Sequence, residues 1–155
     1  MLSVRQSRRR AYTLVELVLV VAIIAVFGAM AMPRLGSAAN SNRAKVAANK
    51  IAADLKMMRL TARASSANTS TEFDVSNSRY TLTGMARTGS VDPVISLAGF
   101  PYNCTFRFAG SSATAAIVTY APTGLPNAGL TIVVACGSAT KTVVVDATTG
   151  AATVQ

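Results

Sequence analysis

Residues 12–32 form a 21-residue stretch whose only charged side chain is Glu16, and residues 1–11 before it hold Arg5, Arg8, Arg9 and Arg10 and no acid. As a helix rising 1.5 Å per residue, 21 residues reach about 31 Å, the thickness of a hydrocarbon core. The arginines before it predict retention of the N-terminus on the cytoplasmic side, with the rest of the chain outside. A secretory signal peptide is the competing reading. It needs a shorter apolar region and a small-residue cleavage site, and Ala29-Met30-Ala31 offers one.

Glu16 separates these readings. A carboxylate inside an apolar helix costs roughly 2.5 to 3.5 kcal/mol near the bilayer centre and less towards an interface. A plain signal or anchor gains nothing from it, so Glu16 is a functional-site candidate that needs a cation. A cut before Tyr12 would create one, the free α-amine of a neighbouring copy. In the alternative, Glu16 sits at headgroup depth and stays hydrated.

The run Arg8-Arg9-Arg10-Ala11, then Tyr12-Thr13-Leu14-Val15-Glu16-Leu17 and an aliphatic stretch, resembles the class III signal of type IV pilins and type II secretion pseudopilins. The resemblance implies cleavage by a membrane-embedded prepilin peptidase between Ala11 and Tyr12, with N-methylation of Tyr12. It also implies an assembly role for Glu16, the fifth mature residue, and a helix-bending role for Pro33. Where the family usually has glycine before the cut, this chain has Ala11. The implied partners are other pilin or pseudopilin subunits, the prepilin peptidase and an inner-membrane assembly platform.

Beyond Pro33 the pattern becomes amphipathic. Ala44, Ala48, Ile51, Leu55, Met58 and Ala62 fall three or four residues apart, predicting one apolar helical stripe that continues to about residue 64. Arg43, Lys45, Lys50, Lys56, Arg59 and Arg63 occupy much of the remaining circumference, either as a solvated face or as phosphate contacts. A Ser/Thr/Asn-rich break at 65–71 precedes short strand candidates at 72–75, 79–83, 94–97, 104–108, 117–120, 130–135 and 142–146. Ser76-Asn77-Ser78 reads as a hairpin turn, and further turns are expected at Gly84, 92–93, 99–101, 122–129 and 149–150.

Charge divides along the same line. Residues 1–63 hold eleven basic and two acidic side chains, which is the whole excess of nine, whereas residues 64–155 hold four of each. The basic balance therefore belongs to the N-terminal segment. The absence of histidine removes the commonest general base and metal ligand, and two cysteines cannot build a thiolate zinc site alone. No catalytic motif, metal site or cofactor is expected, and the chain reads as a non-enzyme. Cys104 and Cys136 lie in strand candidates of an exported body, as a bridge or as two buried thiols.

The tail is similar to the H-type pseudopilin and FimT-like minor pilin domain: Tyr120-Ala121-Pro122-Thr123-Gly124, the run Gly129-Leu130-Thr131-Ile132-Val133-Val134, and Val143-Val144-Val145-Asp146 before Thr149-Gly150. That family commonly places arginine after the final glycine, and some members bind DNA there. Here Ala151 follows Gly150, and Lys141 is the one basic residue beyond Arg107, so nucleic acid is the less favoured partner.

The expected architecture is α+β and pilin-like: a long N-terminal helix packed on an antiparallel sheet body. Its segments are a leader at 1–11, a transmembrane and assembly helix at 12–32, an amphipathic continuation at 33–64, and a β-rich periplasmic or extracellular body at 65–155. The expected function is a minor or tip subunit of a type II secretion pseudopilus or type IV pilus. The competing classes are a DNA-binding minor pilin and a secreted or membrane-anchored binding protein.

Overall fold

A computed structural model describes residues 13–85 and 91–155, and of residues 29–35 it gives the helical backbone alone. The chain divides into two units, Met1–Gly36 and Ser37–Gln155, and helix α1 (Leu14–Ser65) contributes to both. In the first unit the described side chains of α1 are apolar and exposed apart from Glu16.

Among the described residues no helix is long and apolar enough to cross a membrane. The apolar run with described side chains, residues 14–28, reaches about 22 Å, short of a core of roughly 30 Å. Tyr12 and the side chains of residues 29–32, which complete the expected span, lie outside the described residues.

In the second unit α1 buries the stripe that its 3.6-residue period dictates. Ala44, Ala48, Ile51, Leu55, Met58 and Ala62 are all buried, joined by Ala47 and Asp54. The alanines carry no bulk beyond Cβ, so the strands can pack close to the helix axis. The helix ends at Ser65, whose hydroxyl donates to the Thr61 carbonyl at 2.7 Å, and Ser66 follows in the left-handed region at φ 52°.

Eight strands follow, in two antiparallel four-stranded sheets. They are β1 (Thr69–Asp74), β2 (Arg79–Thr83), β3 (Val94–Ser96), β4 (Thr105–Phe108), β5 (Ala115–Tyr120), β6 (Leu130–Cys136), β7 (Ala139–Val145) and β8 (Ala152–Val154). One sheet has the order β3-β2-β1-β5 and the other β4-β6-β7-β8. The antiparallel body consists of two sheets because β5 pairs back onto β1 (Glu72 opposite Ile117) while β4 pairs forward with β6 (Arg107 opposite Val133).

The β1–β2 hairpin closes where expected: Asp74 accepts the Asn77 backbone N–H and side-chain amide, and Ser78 adopts φ 47°. Strand β8 is absent from the sequence reading; it pairs with β7, Val144 opposite Thr153.

Alternation decides which face is buried. The first sheet turns Thr71, Phe73, Tyr80, Leu82, Val118 and Tyr120 inward, the second Phe106, Phe108, Ile132, Val134, Val143 and Val145. These side chains and the α1 stripe form one cluster. The sheets meet at Phe73, whose ring lies edge-on to Phe106 and Phe108 with centroids 5.8 and 6.4 Å apart.

Candidate processing and assembly site

Helix α1 starts at Leu14, the third residue after the predicted cut. Thr13 caps it: its carbonyl accepts the Leu17 N–H and its hydroxyl accepts the Glu16 N–H, each at 3.2 Å. Glu16 is therefore the third residue of the first turn, where a carboxylate also faces the positive end of the helix dipole. The spacing Thr-x-x-Glu before an apolar run is a capping-box signature, which the sequence reading passed over.

Glu16 is exposed, and no cation among the described residues pairs with it. Leu14 at 78% and Phe27 at 68% exposure show how much apolar surface its surroundings present. Ala11 and Tyr12, the predicted scissile pair, lie outside the described residues. Pro33 falls within α1, where a proline has no N–H for the helical ladder, and its side chain lies outside the described ones.

Cys104 and Cys136 are joined in a disulfide with Cα atoms 4.4 Å apart. They extend the β4–β6 pairing by one step past Thr105 opposite Ala135, and both are buried.

Two attachments of α1 to the body were not foreseen. Asp54 is buried on the helix; its carboxylate accepts Lys50 Nζ at 2.7 Å and the Tyr80 hydroxyl at 2.6 Å. Burial first, and then the neighbouring Asp54, push the Tyr80 phenol far above its ordinary range. The Lys50–Asp54 pair is visible as an i, i+4 spacing, but Tyr80 is 26 residues away.

One turn further on, Arg59 Nε donates to the Gly124 carbonyl at 3.1 Å and Arg63 Nε to the Thr123 carbonyl at 2.9 Å. A Cβ at Gly124, with φ 79°, would collide with the Arg63 guanidinium, so glycine is what lets this loop close on the helix. Two of the helix cations expected as a solvated face or phosphate contacts instead hold the 121–129 loop.

Among the described residues the body cations do not converge. Arg79 is taken by Asp74 at 3.2 Å. Arg107 is opposite Val133, whereas Lys141 is opposite Val134, so the two stand on opposite faces of the second sheet. Among the described residues no group of three or more His, Cys, Asp or Glu could hold a metal ion.

Neither the curated proteins nor the solved structures yield a match to this chain. Residues 6–32 match the family model described as the prokaryotic N-terminal methylation motif. That span takes in Arg8 to Arg10, the Ala11–Tyr12 junction and the capped, apolar start of α1. The chain is α+β with antiparallel sheets, and over residues 6–32 it carries the prepilin signature of type IV pilins and pseudopilins.

Proposed function

We propose that the chain is a prepilin-like subunit that is cut between Ala11 and Tyr12, methylated on Tyr12 and assembled as a minor or tip component of a type II secretion pseudopilus or type IV pilus. The match over residues 6–32 carries this reading. Residues 12–32 anchor the precursor in the inner membrane with the body in the periplasm, until the assembly platform extracts it. The neutral charge of residues 64–155 and the separation of Arg79, Arg107 and Lys141 weigh against DNA uptake as the main role, since nucleic-acid affinity comes from several phosphates neutralised together.

Mass spectrometry of the protein recovered from membranes tests the reading. The expected N-terminus is a methylated Tyr12, and Ala11→Leu is expected to leave the precursor uncut because a bulky side chain does not fit the pocket before the scissile bond. A mature chain beginning after Ala31 would instead identify an ordinary secretory signal.

A further inference from the structure

Within the second unit a cavity of about 210 Å³ lies between α1 and the loop leading into β8, lined by Lys56, Arg59, Gly150, Ala151 and Ala152. Its polar side chains are both cations, three residues apart and so on one face of the helix. No carboxylate among the described residues pairs with either. The Gly150 N–H is taken by the Asp146 carbonyl and the Ala151 N–H by the Thr149 hydroxyl, so what the cavity offers an anion comes from the two side chains.

Arg59 is fixed by its bond from Nε to the Gly124 carbonyl, which leaves the two terminal nitrogens of the guanidinium without an acceptor among the described residues. Gly150, at φ 69°, makes this arrangement possible. A Cβ there would come within 2.5 Å of the Gly124 carbonyl and 3.4 Å of Arg59 Nε. Arg59 is half-buried and held in place, so its spare donors are costly unless an acceptor meets them, whereas Lys56 is exposed.

We propose that this cavity is a carboxylate pocket that receives an acidic side chain of a protein partner, independently of the processing of the N-terminus. The planar guanidinium edge matches a carboxylate in two parallel hydrogen bonds, and Lys56 adds a point charge beside it. The volume equals about seven waters' share of liquid, enough for one acidic side chain and too little for a run of nucleotides.

The test is fluorescence polarisation with the full chain in detergent micelles and a labelled acidic tetrapeptide containing two glutamates. Competitors are succinate and a single-stranded oligonucleotide. Saturable binding is expected to weaken at least about ten-fold in Lys56→Gln and in Ala151→Glu, which places a competing carboxylate in the cavity, and to be unchanged in Lys45→Gln. Neither cavity variant touches the Arg59–Gly124 bond, and circular dichroism melts verify that each stays folded. Equal peptide binding by the cavity variants and the parent chain, or no saturable binding, would overturn the proposal. So would displacement of the peptide by succinate at equal affinity, or by the oligonucleotide at lower concentration.

Discussion

Asp54 and Tyr80 show how much one buried pair asks of its surroundings. A carboxylate taken out of water needs its oxygens met, and here Lys50 meets one and the Tyr80 hydroxyl the other. Tyr80→Phe keeps the ring that packs 5.5 Å from Phe73 but withdraws the donor. It should destabilise the body by about 1.5–3 kcal/mol, the range for a hydrogen bond to a charged group, measured by urea unfolding. A change within error would mean that solvent replaces the hydroxyl. Asp146 is the opposite case, an exposed carboxylate satisfied locally. The Thr148 hydroxyl first, then the backbone N–H groups of Thr149 and Thr148, hold its pKa down to about 2 from the ordinary 3.8. A lowered pKa stabilises the folded state fully above about pH 4, and that contribution is lost as the pH falls towards 2. Asp146→Asn should therefore flatten the acid limb of the melting temperature against pH between those values; an unchanged slope there would refute the assignment.

At the scale of elements, legibility follows locality. The α1 stripe and the β1–β2 hairpin depend on spacings within a few residues, Ala44 to Ala62 in threes and fours, and Asp74 closing on Asn77, so the sequence alone shows them. The division into two sheets does not depend on local spacing, because β5 must pass β4 to reach β1. Strand β8 is three residues, Ala152, Thr153 and Val154, with too little alternation to stand out before β7 is there to pair with it. Likewise the Arg59–Gly124 bond joins residues 65 apart, and nothing in the chain announces it. The disulfide lies between these cases, since two cysteines invite pairing but only the β4–β6 register brings them opposite one another. It closes a loop of sequence separation 32, for which the chain-entropy account gives about 3–4 kcal/mol. Reduction, or Cys104→Ala with Cys136→Ala, should lower the unfolding free energy by that amount. Iodoacetamide should label neither residue before reduction, and labelling of both in the unreduced protein would show that the bridge is not formed.

For the whole molecule, the two units differ in how much apolar surface they cover. The second has a closed core and balanced charge from residue 64 onward, while the first leaves Leu14, Val18 and Phe27 uncovered, a surface that water does not tolerate alone. Glu16 sits within that surface, and the cap geometry separates two jobs it could do. The bond that starts the helix comes from the Glu16 backbone N–H to the Thr13 hydroxyl, so it survives any side-chain change. What Glu16→Val removes is the carboxylate, at a cost to the helix of about 0.3–1 kcal/mol through the dipole, while the desolvation cost of membrane insertion falls. Helix formation, insertion and cleavage before Tyr12 should accordingly persist. Assembly should not, if the carboxylate's partner is the Tyr12 amine of an adjacent subunit, because that attraction gains strength only when both groups leave water. The measurement is paired: mature mass from the membrane fraction, and abundance of the subunit in sheared filaments or detergent-extracted assemblies. Normal mature mass with depleted assemblies is the expected outcome, whereas normal abundance of Glu16→Val in both fractions would leave Glu16 as a hydrated residue of the first helical turn with no part in assembly.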